Sequence, residues 1–209
     1  MTFEQLKLCA ETVRSLKESG YLSPTTIQGL TIPEVLQGKD IMASAQTGTG
    51  KTAAFILPII ELLRAEDKPK RYQVHSLILT PTRELAAQVE ANAKIYTKYL
   101  AIRSDAVFGG VSIRPQIKRL QGGIDILVAT PGRLIDLINQ KTIRFDNLKF
   151  LVLDEADRML DMGFIRDIKK IIEFLPKNRQ NMMFSATFSA PIKKLALGLL
   201  QDPIEIKAS

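Results

Sequence analysis

The stretch that decides the fold reads Asp40-Ile41-Met42-Ala43-Ser44-Ala45-Gln46-Thr47-Gly48-Thr49-Gly50-Lys51-Thr52. A short, mostly apolar run, 40–45, predicts a strand, and a helical pattern over 52–64 follows a glycine-rich turn. Glycines in such a turn let successive backbone N–H groups face a phosphate, and the helix that follows adds the positive end of its dipole. Lys51 can then reach the β and γ phosphates of a nucleotide, and the Thr52 hydroxyl can ligate Mg²⁺.

This stretch matches the general phosphate-loop pattern G-x-x-x-x-G-K-[ST] with one departure, since Ala45 stands at the first glycine. An ordinary glycine-rich turn is the alternative, but Gly-Lys-Thr lies at the required junction of strand and helix. We therefore predict a phosphate site. Its nucleotide-binding residues are Ala45, Gln46, Thr47, Gly48, Thr49, Gly50, Lys51 and Thr52.

Outside this stretch, short apolar runs alternate with longer segments of helical period. Leu77-Ile78-Leu79 and Leu151-Val152-Leu153 are apolar on both faces, which is typical of parallel strands covered by helices on both sides. We therefore predict an α/β fold, a parallel sheet flanked by helices on both faces, with right-handed crossovers. The predicted strands are 40–45, 74–80, 104–108, 124–129, 150–154, 181–185 and 204–206. The predicted helices include 52–64, 83–99, 134–139, 165–175 and 190–200.

The N-terminal part of the chain has a different pattern. Two helices, 4–19 and 26–37, are predicted before the first strand, and we interpret 1–39 as a helical cap on the same domain. No repeat or long linker interrupts the chain, and its length suits one large domain. We therefore treat 1–209 as a single domain.

The composition excludes several classes of protein. Hydrophobic residues make up 45% and charged residues 24%, so the chain is neither disordered nor membrane-embedded. The 29 Lys and Arg against 22 Asp and Glu give a net charge of +7, which favours attraction to nucleic acid without locating a site. Cys9 is the single cysteine, and the N-terminus has no apolar signal core, so we expect a cytoplasmic location and no membrane partner.

Special residues follow each of the first six predicted strands. In open parallel sheets the binding crevice lies beyond the carboxyl ends of the strands, so these segments should meet at one edge. Asp154 and Glu155 end the fifth strand, where Asp154 can hold Mg²⁺ through water and Glu155 can orient and deprotonate an attacking water. Acids that cap a helix are the alternative, but the pairing with Lys51 and Thr52 favours catalysis by Lys51, Asp154 and Glu155.

Three other segments at this edge are less specific. Arg83 and Arg133 lie beside hydroxyl and glycine groups, a combination that suits a phosphate backbone, although a surface ion pair is the default for either arginine alone. These segments are Pro81-Thr82-Arg83, Gly109-Gly110 and Thr130-Pro131-Gly132-Arg133. The sixth strand is followed by Ser185-Ala186-Thr187, residues that are usually found in turns or caps.

In chain order, these segments resemble those of the DEAD-box family of ATP-dependent RNA helicases. The resemblance covers nearly the whole chain as the family's N-terminal RecA-like domain, and the four letters of the family name stand at Asp154-Glu155-Ala156-Asp157. Residues 20–28 resemble the adenine-recognition Q motif, with the upstream aromatic at Phe3. Residues 107–112 and 158–164 are most similar to the bacterial RhlE-like group.

The resemblance implies a role for each segment, with ATP and Mg²⁺ as the cofactors. Gln28 would bind the adenine edge, and Tyr21 or Phe3 would stack on the base. Asp157 would pair with Ser185 and Thr187 and so couple nucleotide binding to RNA binding. The residues that would contact the backbone of one RNA strand, with little sequence preference, are Pro81, Thr82, Arg83, Gly109, Gly110, Thr130, Pro131, Gly132 and Arg133.

The resemblance also implies a second RecA-like domain that closes over the nucleotide and supplies arginines, and no segment after Thr187 resembles them. Because an arginine finger is worth about 10³ to 10⁵ in rate, we expect the isolated chain, a monomer, to bind nucleotide with Mg²⁺ but to hydrolyse it poorly. Two alternatives stay open. One is a non-catalytic nucleotide-binding module that recruits partners, and the other is a DNA helicase or another phosphate-loop ATPase.

Overall fold

The computed structural model describes residues 1–208 as a single sheet covered by helices. Seven parallel strands lie in the order β3-β4-β2-β5-β6-β1-β7. Their bounds are β1 Ile41–Ser44, β2 Val74–Leu79, β3 Ser104–Val107, β4 Ile124–Ala129, β5 Phe150–Leu153, β6 Gln180–Ser185 and β7 Ile204–Lys207. Each predicted strand is therefore present, within one or two residues of its expected bounds.

Helices cover the sheet on both faces, as predicted. Successive residues of a strand point to opposite faces, so Leu77 and Leu79 pack in one core cluster while Ile78 packs in the other. The helices are α1 Ala10–Glu18, α2 Thr26–Leu36, α3 Lys51–Leu63, α4 Arg83–Tyr96, α5 Arg114–Leu120, α6 Pro131–Asn139, α7 Ala156–Asp161, α8 Ile165–Glu173 and α9 Ala190–Leu199. None of them, within residues 1–208, has the length and hydropathy of a bilayer span.

The N-terminal segment differs from the expected continuous helix over 4–19. A 3₁₀ turn at Glu4–Leu6 ends at Lys7, whose backbone is left-handed with φ 64°, and α1 begins only at Ala10. The break is held by the backbone N–H of Cys9, which donates to Glu61 Oε2 at the end of α3 over 3.2 Å. Leu16 and Ile27, from α1 and α2, pack in the same core cluster as the sheet.

Candidate active site

The strand order sorts the predicted site segments into two groups along the carboxyl edge of the sheet. The phosphate loop after β1 and the segments after β6 and β5 are neighbours, and the segments after β2, β4 and β3 occupy the other half of this edge. The predicted phosphate-loop and acidic residues therefore lie on one side, and the predicted RNA residues lie on the other. Strands β5 and β2 pair where the two groups meet.

Lys51 joins the phosphate loop to the two acidic residues after β5. Its Nζ lies 2.7 Å from Asp154 Oδ1 and 3.2 Å from Glu155 Oε2. Lys51 is 5% exposed and Asp154 is fully buried. Burial raises the pKa of the Asp154 carboxyl, and the Lys51 ammonium opposes that rise.

Glu155 has a backbone conformation that is unusual for a residue with a side chain. Its φ and ψ are 53° and 53°, in the left-handed region, at the N-cap of α7. This conformation costs a non-glycine residue about 1–2 kcal/mol. It directs the carboxylate to Lys51 on one side, while Arg158 Nη1 lies 3.6 Å from Glu155 Oε1 on the other. The predicted catalytic carboxylate is thus held between two cations.

The phosphate loop depends on two glycines with positive φ, 87° at Gly48 and 85° at Gly50. Gly50 is also packed closely, because a Cβ at this position would lie 2.6 Å from Gln28 Nε2 and 2.7 Å from Thr25 Oγ1. Nothing lies within 4 Å of a Cβ built at Gly48. The loop therefore presents an open glycine at Gly48 and an enclosed glycine where α3 begins.

The residues expected to bind Mg²⁺ fit a magnesium ion. Asp154 Oδ2 is buried and has no hydrogen-bond partner, so one acceptor remains for an ion or its water. No group of three or more His, Cys, Asp or Glu side chains that could hold a metal occurs among residues 1–208. A site of one carboxylate and the Thr52 hydroxyl suits Mg²⁺, which usually keeps several waters and binds substrate phosphates.

Gln28 is 2% exposed and connects α2 to the phosphate loop. Its Oε1 accepts from the Thr25 backbone N–H over 3.0 Å, completing a capping box, and its Nε2 donates to the Gly50 carbonyl over 3.1 Å. The amide therefore touches the loop that begins α3. Its contact with adenine stays a prediction. Each end of the amide keeps one further hydrogen-bonding position.

The two aromatic residues expected to stack on the base are engaged in packing. Phe3 is 3% exposed in the core cluster, which leaves almost no ring surface for a base. Tyr21 packs edge-to-face on Tyr96, with ring centroids 5.9 Å apart, at the end of α4 remote from the site edge. Stacking by Phe3 does not fit this arrangement, because its ring is buried in the core. One sequence does not reveal whether an aromatic side chain is buried.

The coupling residues are only partly connected as predicted. Thr187 Oγ1 donates to Asp157 Oδ2 over 3.2 Å. Ser185 Oγ donates instead to the Thr187 carbonyl over 2.7 Å, so it shapes the turn after β6 rather than binding Asp157 directly. The acidic segment after β5 and the turn after β6 are therefore joined through Thr187.

Most of the predicted RNA residues are grouped at the other half of the edge. The Arg83 guanidinium lies over the Phe108 ring at 5.2 Å, and its Nη1 is 3.4 Å from a Cβ built at Gly110. Gly109, Gly110 and Gly132 are exposed. Pro81 and Pro131 are buried, whereas Thr82 and Thr130 are the N-caps of α4 and α6.

Arg133 corrects the sequence prediction. Its side chain is 11% exposed and donates to Gln116 Oε1 over 3.1 Å and to the Val111 carbonyl over 3.0 Å. A phosphate contact does not fit this geometry, because the side chain is largely buried and two of its guanidinium nitrogens already donate to protein oxygens. Gln116 was not identified as a functional residue from the sequence. It lies in the short, basic helix α5, and nothing in that pattern indicates that a glutamine there is buried.

Comparison with known proteins gives a consistent result. A family model described as DEAD/DEAH box helicase matches residues 25–195. The ATP-dependent RNA helicase CshA of Limosilactobacillus reuteri is 47% identical over 210 residues, covering 100% of this chain and 41% of the relative. The probable ATP-dependent RNA helicase ddx27 of Dictyostelium discoideum is 47% identical, covering 99% of this chain and 26% of the relative.

A solved structure is similar over the whole chain. The crystal structure of a DEAD box protein from the hyperthermophile Methanococcus jannaschii superposes with a TM-score of 0.93 at 40% identity, covering 100% of this chain and 56% of that one. The predicted RecA-like α/β fold is confirmed. The chain spans about two fifths of the length of the bacterial relative. The RhlE-like subgroup stays a prediction.

Proposed function

Because the chain belongs to the DEAD/DEAH box helicase family, we propose that it is the ATP- and RNA-binding N-terminal half of an ATP-dependent RNA helicase. In this proposal the whole protein couples ATP binding and hydrolysis to local unwinding of an RNA duplex. The remaining length of the relatives leaves room for a second RecA-like domain, which this chain would need as its partner. A cytoplasmic location is proposed on the single cysteine.

One observation carries the proposal. Lys51 of the phosphate loop lies within hydrogen-bond distance of both Asp154 and Glu155, although more than 100 residues separate them in the chain. A phosphate-binding cation, a buried carboxylate with an unpaired oxygen and a second carboxylate therefore occupy one site. A module that only binds nucleotide has no need of Glu155 in a strained backbone at this position.

The proposed chemistry assigns a separate task to each residue. Lys51 is nearly desolvated, so its ammonium group stabilises charge on the β and γ phosphates. Glu155 orients the attacking water and accepts its proton. Thr52 and Asp154 would hold Mg²⁺, which when bound neutralises phosphate charge.

Gln28 supports selectivity for adenine. Its amide is fixed by Thr25 and Gly50, and an amide has a donor and an acceptor to offer to a base edge. A purine whose edge carries the opposite pattern would set donor against donor and acceptor against acceptor at the remaining positions of this buried amide, which is costly.

The other half of the edge is proposed to hold one RNA strand by its sugar-phosphate backbone. Arg83 supplies positive charge beside the exposed Gly109 and Gly110, where the backbone of the protein can approach a phosphate closely. Contacts that avoid the base edges carry no sequence information directly, so little sequence preference is expected.

The test measures ATPase activity of the full-length natural protein with single-stranded RNA, single-stranded DNA or no nucleic acid. We expect stimulation by RNA and loss of turnover in Glu155→Gln with nucleotide binding retained. Equal stimulation by DNA would favour a DNA helicase or another ATPase, and no activity under any condition would favour a non-catalytic module.

The 209-residue chain is measured alongside the full-length protein. We expect it to bind ATP with Mg²⁺ and to turn it over far more slowly, because the arginines of a second domain are worth about 10³ to 10⁵ in rate. Robust RNA-stimulated hydrolysis by the chain alone contradicts this part of the proposal.

A further inference from the structure

Gln116 is a buried polar residue outside every segment assigned above. It lies in α5, is 2% exposed, and uses both ends of its side-chain amide. Its Nε2 donates to the Phe108 carbonyl over 3.1 Å, and its Oε1 accepts from Arg133 Nη1 over 3.1 Å. A glutamine in this position links the end of β3 to the start of α6.

Arg133 completes the link from the other side. Its second guanidinium nitrogen, Nη2, donates to the Val111 carbonyl over 3.0 Å, and Nε faces Asp136 Oδ2 at 3.7 Å. The planar fork thus reaches Gln116 and Val111 at once, an arrangement that lysine cannot reproduce. Because the Arg133 side chain is only 11% exposed, it has little surface for a phosphate.

The two side chains enclose one short segment of the proposed RNA surface. They hold the carbonyls of Phe108 and Val111, which are the residues immediately before and after the exposed Gly109 and Gly110. Two neighbouring glycines have the largest conformational freedom of any pair. If the residues on either side were not held, ordering this turn around a ligand would cost conformational entropy and weaken binding. The Phe108 ring also lies beneath Arg83.

We propose that Gln116 and Arg133 form an internal brace that holds residues 108–111, and with them Arg83, in the shape that receives an RNA phosphate. In this proposal both are positioning residues, because neither contacts the RNA strand itself. The inference rests on the proposed function, since it concerns the preorganisation of that RNA surface. It replaces the sequence prediction that Arg133 is itself a phosphate ligand.

The test compares binding of a fluorescein-labelled single-stranded oligouridylate by the full-length protein at several salt concentrations. Gln116→Ala, Arg133→Ala and Arg133→Lys should each weaken RNA binding about tenfold, comparable with the loss of a buried hydrogen bond. Arg133→Lys separates the two roles, because it keeps the positive charge but cannot donate to Gln116 and Val111 at the same time. Arg83→Ala is the matched control for a residue that does meet phosphate.

The salt dependence separates positioning from direct contact. Loss of one phosphate contact lowers the slope of log affinity against log salt by about 0.7 for a single strand. We expect this change in Arg83→Ala and an unchanged slope in the three brace variants. A lowered slope in Arg133→Ala, with affinity preserved in Arg133→Lys, would make Arg133 a phosphate ligand and overturn the inference.

Two further measurements exclude a general loss of structure. ATP affinity should be unchanged in the brace variants, and amide hydrogen exchange should become faster only near residues 108–112. Gln116→Ala and Arg133→Ala combined should cost little more than either alone, because they remove the same unit. Additive losses, or unchanged exchange in this segment, contradict the brace.

Gln116→Glu provides a second variant if Gln116→Ala does not fold. It keeps an acceptor for Arg133 and loses the donor to Phe108, so an intermediate loss is expected. If the parent protein itself does not bind RNA, the proposed function fails, while the hydrogen-exchange comparison still decides whether the brace exists.

Discussion

Asp154 is fully buried, and its Oδ1 accepts a hydrogen bond from Lys51 over 2.7 Å. Lys51→Ala should therefore have two effects. Nucleotide binding should be lost, because the phosphate ligand is gone, and the free energy of unfolding should fall by about 3–5 kcal/mol, because a buried charge loses its partner. Calorimetric titration with ATP and urea unfolding measure the two effects separately.

The control for Lys51→Ala is the double variant Lys51→Ala/Asp154→Asn. A neutral amide at position 154 removes the unpaired charge, so most of the stability should return while nucleotide binding stays absent. Unchanged ATP affinity in Lys51→Ala would refute the phosphate assignment, and unchanged stability would refute the structural part of the ion pair.

Gln28 allows a second prediction, since its two polar atoms have different partners. Gln28→Ala should weaken the preference for ATP over GTP and cost about 1 kcal/mol in unfolding free energy, because the capping box and the contact to Gly50 are both lost. Competition binding with ATP and GTP measures the preference.

Gln28→Glu is the matched comparison. Glutamate keeps the capping-box acceptor, but it loses the donor to the Gly50 carbonyl and buries a carboxylate beside that oxygen. The free energy of unfolding should therefore fall more than in Gln28→Ala, and nucleotide binding should be weakened as well. If both variants still reject GTP as well as the parent does, Gln28 has no role in base selection.

For single residues, the sequence predicted which residues form a motif better than it predicted which atoms each side chain contacts. The spacing of Gly50, Lys51 and Thr52 follows from phosphate chemistry, and the structure brings Lys51 to Asp154 as that chemistry requires. The roles of Phe3 and Arg133 were not predictable, because exposure depends on what packs against a residue from distant parts of the chain.

At the scale of elements, the junction between the phosphate loop and α3 gives a third prediction. Gly50→Ala should reduce nucleotide affinity much more than Gly48→Ala. Both positions have positive φ, which strains alanine by about 1–2 kcal/mol, but only at Gly50 would the new Cβ collide with Gln28 and Thr25. ATP titration of the two variants provides the comparison.

Equal losses of affinity in the two glycine variants would show that backbone strain, and not the contact with Gln28, explains the requirement for glycine. Circular dichroism of both variants is the control for folding. A Gly50→Ala variant with parental affinity would mean that α2 does not fix this end of the loop.

The strands were predicted well because all residues of β2, β4 and β5 are buried and most of them are apolar on both faces, a pattern that helices rarely show. The first helix was predicted less well. Its pattern is continuous over 4–19, whereas the left-handed backbone at Lys7 and the contact of Cys9 with Glu61 interrupt it. That contact spans 52 residues, so local periodicity could not reveal it.

Two short helices were not among those predicted. α5 and α7 have seven and six residues, too few for a helical period to stand out from the sequence. Both matter for the site, because α5 carries Gln116 and the strained Glu155 is the N-cap of α7.

For the whole molecule, the strand order separates the two proposed sites. Five strand spacings lie between β1, which carries the phosphate loop, and β3, which leads to Gly109 and Gly110. At about 4.8 Å per spacing, these loops are about 24 Å apart. Among residues 1–208, the side-chain hydrogen bonds described above connect segments within each half of the edge and not across it.

A fourth prediction follows from this separation. Saturating single-stranded RNA should change the ATP affinity of the 209-residue chain by less than about twofold, because the side-chain hydrogen bonds described above do not connect the two halves of the edge. The same titration in the full-length protein is the comparison, where a second domain that contacts both ligands should give larger coupling. Strong coupling in the chain alone would locate the communication within this sheet.

The position of β1 also has a consequence for biosynthesis. β1 pairs with β6 and β7, and its residue Ile41 is in register with Met182 and Ile204. On the ribosome, at about 5–20 residues per second, the phosphate loop would wait roughly 7–28 s for its first neighbouring strand. Until β6 emerges, β1 has no strand with which to pair, even though β2 to β5 can already form a sheet. ATP binding should therefore contribute to folding only late in synthesis.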